Sequence, residues 1–228
     1  MRRGRWADSS PYREGSSVVG QHRGAWAQDR GRAPRPAWDT LPGVPQAYLA
    51  LLRGINVGGA NIVPMAELRD CIAGLGATNV ATYIQSGNVL FDVEKDDPTT
   101  WMRRIEAALS ARFGYEATAT IRIHAELRAV VNDAPSGFGD DPDRYRYDVL
   151  FFMDREAVAS DVIKDVPARD GVDAVATGPG VLYFTRVTAR ASQSHLARIT
   201  GRASYKAMTI RNWRTTTRLL EWMDQRST

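Results

Sequence analysis

A mixed α+β fold with two antiparallel sheets is predicted by three observations on this 228-residue chain. Strand-like and helix-like patterns follow in the order βαββαβ over residues 47–123, a similar order returns over 147–224, and a Pro/Gly/Asp-rich stretch at 134–143 separates the two. That order is the ferredoxin-like arrangement, in which two helices cover one face of a four-stranded antiparallel sheet. The expected architecture is therefore two tandem ferredoxin-like modules with a C-terminal helix, preceded by a disordered N-terminal tail. The expected boundaries are 1–45 for the tail, 46–133 for the first module with its linker helix, and 134–228 for the second with the closing helix.

Each element has its own warrant. Ala47 to Leu52 is a continuous apolar run suited to a buried strand, and Met65, Leu68, Ile72 and Leu75 recur at helical spacing behind Pro64. Gly74 and Gly76 end that helix. Val80 to Gln85 and Asn88 to Val93 predict a hairpin turning at Ser86-Gly87. A helix from Pro98 to Phe113 presents Trp101, Ile105, Ala108 and Leu109 on one face, and a strand follows from Tyr115 to Ile123. After a short helix, His124 to Asn132, the second round comprises a strand at Tyr147–Met153, a helix at Arg155–Val166 and a hairpin at Ala174–Val187 turning at Gly178-Pro179-Gly180. It closes with a helix at Ser192–Thr200, a strand at Ala207–Arg211 and a helix at Trp213–Asp224 capped by Asn212. Residue identity between the halves is negligible, so the repetition is one of architecture.

Composition narrows the class. No run of 18 apolar residues exists and no apolar segment follows the basic N-terminus, so neither a membrane span nor a secretory signal is expected, and a cytoplasmic location is the default. The single cysteine, Cys71, has no disulfide partner in the chain and falls in a helical pattern as core filler. Residues 1–45 hold eight of the 30 basic and four of the 26 acidic residues, so the formal charge of +4 belongs to the tail and the body is neutral. The tail, with Trp6, Trp26 and Trp38 scattered among Gly, Pro and Ser, lacks a sustained period and reads as disordered. It is either a phosphate-touching basic arm or a segment without function, and its charge is sparse for an arm.

Two loops stand out. Arg53-Gly54-Ile55-Asn56-Val57-Gly58-Gly59 lies between a strand and a helix, and Gln85-Ser86-Gly87-Asn88 lies between two strands. A strand that delivers Arg53 and a Gly-rich turn ahead of a helix brings a guanidinium and backbone N–H groups together, which suits an anion. The expected ligand-binding residues are Arg53, Gly54, Asn56, Gly58, Gly59, Ser86 and Asn88, completed across the module junction by Arg211 and Asn212. The loop is not a P-loop, since no Lys-Ser/Thr pair follows, and it lacks GxGxxG spacing. Equally, the glycines permit a tight turn while Arg53 and Asn88 pin loops together, and Asn212 caps a helix over Trp213; both readings stand at this point.

Catalytic patterns are missing. Ser86 lacks the first glycine of a nucleophile elbow, and His22, His124 and His195 form no i,i+4 pair and have no Cys partner, so no metal site is expected. Asp140, Asp141 and Asp143 lack the remainder of a calcium loop.

The residues Tyr48-Leu49-Ala50-Leu51-Leu52-Arg53-Gly54-Ile55-Asn56-Val57-Gly58-Gly59, then Met65 and Leu68, then Thr82-Tyr83-Ile84-Gln85-Ser86-Gly87-Asn88-Val89-Leu90-Phe91, closely resemble the bacterial domain-of-unknown-function family 1697, as does the ending Thr209-Ile210-Arg211-Asn212-Trp213. The resemblance spans about residues 46 to 222 and implies tandem ferredoxin-like modules with no established substrate, cofactor or partner. After Trp213 the family usually has Asn, Thr and Val, and Arg214 and Thr216 depart from that pattern. The expected function is binding of an anionic small molecule at the Gly-rich loop, with the reaction and cofactor unknown. The alternatives are single-stranded nucleic acid on open sheet faces, opposed by the absence of an RNP1-like strand, and a structural or oligomeric role for those faces.

Overall fold

The computed structural model describes residues 45–226, except 57–60, 95, 155, 156, 158 and 200–202. Residues 1–44 of the expected tail, together with Gly58 and Gly59, lie outside the described residues. The first half comprises β1 (Gln46–Arg53), α1 (Met65–Ala73), β2 (Thr78–Tyr83), β3 (Asn88–Val93), α2 (Pro98–Phe113), β4 (Thr118–Ile123) and α3 (His124–Asn132). The second comprises β5 (Tyr145–Phe152), α4 (Ala159–Val162), β6 (Asp173–Gly178), β7 (Val181–Val187), α5 (Leu196–Ile199), α6 (Ala203–Lys206), β8 (Met208–Asn212) and α7 (Trp213–Arg226). The strands form two four-stranded antiparallel sheets, ordered β2-β3-β1-β4 and β6-β7-β5-β8.

Strand alternation sorts the core into three layers. Tyr48, Ala50 and Leu52 of β1 point toward Leu68 and Ile72 of α1 and Trp101 and Ile105 of α2. Leu49 and Leu51, pointing the other way, join Val149 and Phe151 of β5, Leu127 of α3 and Leu219 of α7 in a cluster that both sheets share. Leu150 and Phe152 meet Leu196, Ile199 and Met208 on the far side of the second sheet. Both faces of β1 and of β5 are thus packed by apolar side chains. The Tyr183 hydroxyl donates to Val130 O at 2.7 Å, tying the second sheet to α3.

Local chemistry explains the boundaries. Asp97 accepts from the Thr100 N–H at 2.9 Å ahead of Pro98, and Gly114 closes α2 at φ +69°. The helix expected over 155–166 differs: among the described residues it is the single turn α4 followed by a 3-10 turn, Ile163–Asp165. Its Ser, Asp, Val and Ile are weak helix formers, and Val166 turns extended before Pro167. The helix expected over 192–200 starts late, because Ser194 is extended and its hydroxyl accepts from the Leu196 N–H at 3.1 Å. A 3-10 segment, Thr188–Gln193, takes up the preceding chain. No helix among the described residues is long and apolar enough to cross a membrane.

Candidate functional site

The two loops singled out in the sequence meet at the end of β1. Arg53 is the last β1 residue, paired with Thr118 of β4, and Gly54 follows at φ +71°. Asn56 takes φ +52°, and its carboxamide accepts from the Val63 N–H at 2.8 Å while donating to Val63 O and Gln85 O, each at 3.1 Å. Asn61 donates to Gly54 O at 2.9 Å. Gly87, at φ +70°, leaves room that a Cβ would close, since that atom would lie 2.8 Å from Leu52 Cβ. The Leu52 N–H donates to Gly87 O at 2.8 Å, so the turn lies directly on the strand end.

Arg211 of β8 reaches this junction from the other sheet. Its Nε donates to Asn88 Oδ1, Nη1 to Thr209 Oγ1 and Ile210 O at 2.8 Å each, and Nη2 to Leu52 O at 2.8 Å and Gly87 O at 3.3 Å. Every one of these acceptors is neutral. Burial lowers the guanidinium to about 10, so it stays charged near neutral pH. Arg122 of β4 makes the reciprocal reach: Nη1 donates to Thr120 Oγ1 at 2.6 Å and Ile121 O at 3.0 Å, and Nη2 to Phe152 O at 2.8 Å and Gly180 O at 3.4 Å. Each sheet thus sends an arginine, preceded by Thr and Ile, to the strand end and hairpin turn of the other.

Above the Arg211 network lies a cavity of 290 Å³, walled by Arg53, Gly54, Asn56 and Ser86 from the first half and by Tyr205 and Thr209 from the second. The Arg53 guanidinium carbon sits 4.8 Å from the centre of the Tyr205 ring. Its buried Nε receives no hydrogen-bond acceptor, and the side chain forms no ion pair among the described residues. Stacking occupies the face of the guanidinium and leaves its in-plane N–H groups for an acceptor. Ser86 adds a hydroxyl at the exposed side.

The expected residues separate into distinct roles. Arg53, Gly54, Asn56, Ser86 and Arg211 line the cavity, but the side chains of Asn56 and Arg211 are engaged in holding its walls. Asn88 is fully buried behind Arg211 and donates to Tyr83 O at 3.0 Å. Asn212 is not in this cavity: its Oδ1 accepts from the Thr215 N–H at 2.7 Å and caps α7. Tyr205, Thr209 and Arg122 were missed. A signal existed, because Thr-Ile-Arg occurs at both 120–122 and 209–211. Among the described residues no group of three His, Cys, Asp or Glu is placed to hold a metal ion.

Known proteins share this fold. The chain is similar to a solved structure described as conserved bacterial protein SP0830 from Streptococcus pneumoniae, with a TM-score of 0.68 and 24% identity over 79% of this chain and 99% of that one. That likeness is one of fold. No curated protein matches the chain. A family match begins at Gln46, where β1 starts, and ends at Tyr183, short of the Thr209–Trp213 motif. With residues 46–183 matched, the chain belongs to the family described as Protein of unknown function (DUF1697).

Proposed function

We propose that the protein binds a small anionic molecule in the cavity at the end of β1, at the junction of two ferredoxin-like modules spanning 46–133 and 134–228. The observation that carries this reading is Arg53, a cation with a buried Nε lacking an acceptor, facing a cavity whose lining contains no carboxylate among the described residues. A second consideration supports it. If the modules are equivalent, Leu52 corresponds to Phe152 and Gly87 to Gly180, since each pair receives the other half's arginine. Arg53 then corresponds to Met153, so the architecture itself does not require a cation there. Ile84, a β-branched residue at φ +50° beside Gln85 and Ser86, holds strain of about 1–3 kcal/mol, as binding loops commonly do.

The cavity is at the small end of the range of about 300–1,000 Å³ for ligand sites. It fits inorganic phosphate or a short carboxylate better than a large metabolite, with Arg53 gripping two anion oxygens and Ser86 a third. Among the described residues the lining offers no His, Cys, Asp or Glu to serve as a base, which favours binding over acid–base chemistry at this point.

A thermal-shift panel of phosphate and small carboxylates tests this. At about a hundred times Kd, a ligand adds about 2.7 kcal/mol and raises the midpoint by about 5–10 °C. The shift is expected to vanish in Arg53→Ala while that variant melts near the wild type. A shift retained in Arg53→Ala, or no shift with the variant melting far lower, would favour a purely structural Arg53.

A further inference from the structure

The segment Arg211-Asn212-Trp213-Arg214 does not finish at the first cavity. Its last three residues turn into a second one, of 610 Å³, at the amino end of α7 and the start of β5. The β5–β8 ladder begins at the Asp148–Asn212 pair, so residues 145–147 of β5, paired with β7 on one edge, lie beyond the end of β8 and line this space on the other.

Its walls combine cations and rings. Arg146, Arg186 and Arg214 line the cavity against one carboxylate, Asp148. Asp148 is matched by Arg186, whose Nη2 lies 2.9 Å from its Oδ2. The side chains of Arg146 and Arg214 are exposed, and neither makes a hydrogen bond or ion pair among the described residues. The lining carries a net charge of +2, with Arg146 also attracting Asp148 at longer range. Trp213 and Tyr145 supply aromatic surface. The indole is held rigidly: its ring centre is 5.1 Å from that of Phe138, and it lies so close to Gly139 that a Cβ there would be 2.3 Å from Nε1. A fixed indole loses little entropy when a flat ring stacks on it, whereas a mobile one would.

We propose that this second cavity binds a planar aromatic anion, a ring carrying a phosphate as in a nucleoside monophosphate. The ring stacks against Trp213 and Tyr145, and Arg146 and Arg214 take the phosphate oxygens by charge-assisted hydrogen bonds. The site is distinct from the Arg53 cavity. Its volume has room for a base and a sugar that the first cavity lacks.

Isothermal titration calorimetry of the full chain with AMP, UMP, adenosine and inorganic phosphate tests the proposal. With the first cavity disabled in Arg53→Ala, at least one nucleotide is expected to bind about tenfold or more tightly than adenosine or phosphate, since the ring and the anion each contribute. Arg214→Ala, an exposed change that leaves the fold intact, is expected to weaken nucleotide binding at least about tenfold, as loss of one charge-assisted contact does. Arg53→Ala is expected to leave it unchanged, which separates this site from the first. Nucleotide binding lost in Arg53→Ala and kept in Arg214→Ala would place the ligand in the other cavity and overturn the proposal. So would phosphate binding to Arg53→Ala, in which the first cavity is disabled, as tightly as either nucleotide, or no heat from either nucleotide at millimolar concentration.

Discussion

Arg211 carries a full charge into the interior with neutral partners alone, whereas the buried Nε of Arg53 has no acceptor; the contrast assigns them opposite roles. Truncating Arg211 strands Asn88 Oδ1 and leaves Leu52 O with only the Thr209 hydroxyl at 3.4 Å, whereas Gly87 O keeps the Leu52 N–H, and each buried polar group without a partner costs about 1–3 kcal/mol. Arg211→Ala is therefore expected to lower stability in urea unfolding by about 2 kcal/mol or more, and Arg122→Ala, which removes the donor to Phe152 O while Gly180 O keeps the Phe152 N–H, by somewhat less. Arg53→Ala forfeits a ring contact of about 0.5–1 kcal/mol. Equal losses from all three would contradict the division into two staples and one ligand contact.

Among the elements, α7 does the most joining. Its Asp224 carboxylate lies 2.6 Å from His124 Nε2 and 2.9 Å from Arg128 Nη2 on α3, and Arg226 reaches Asp92 Oδ1 at 3.2 Å and Asn79 O at 2.8 Å in the first sheet. Burial opposes ionisation of Asp224, but the hydrogen bonds from His124 and Arg128 outweigh it and hold the carboxyl below its ordinary 3.8. A lowered folded value gives stability that is present above 3.8 and is lost as pH falls through the folded value. Because the carboxylate is about half exposed, Asp224→Asn is expected to cost only about 0.5 kcal/mol at pH 7. That gap should close in urea titrations at pH 2–3; a gap independent of pH would mean the pair adds packing and no charge effect. Elements with strong punctuation were legible in the sequence: Pro98 and Gly114 frame α2, and Asn212 caps α7 where expected. The second half's connecting helices were not, because weak formers next to Pro167 and Ser194 give way to tertiary packing. Arg122 was hidden for a different reason, since a charge inside the apolar run Ala119 to Ile123 has no local pattern to show which distant carbonyls it meets. The loops of the site were visible through their glycines and asparagines, but only the assembled junction separates wall-building Asn56 from the open Arg53.

On the scale of the whole molecule, the two sheets complete one another's interior. Leu49, Leu51, Leu90, Leu127 and Val130 of the first half share a cluster with Val149, Phe151, Leu219 and Met223 of the second. A fragment spanning 46–133 alone would present that face to water, and it is expected to self-associate on gel filtration and to melt without a sharp transition. A monomeric fragment with a cooperative melt would show that the first sheet needs no partner. The Arg211 bond to Leu52 O adds a consequence in time, for its ends are 159 residues apart. On the ribosome the acceptor is made early and its donor long afterwards, so the emerging first sheet waits, with a dangling carbonyl and a greasy face, until β8 and α7 leave the exit tunnel. That interval is when a nascent-chain chaperone has something to hold, and a stall in translation before Thr209 would leave a chain fit for aggregation or proteolysis and not for storage as a half-finished protein.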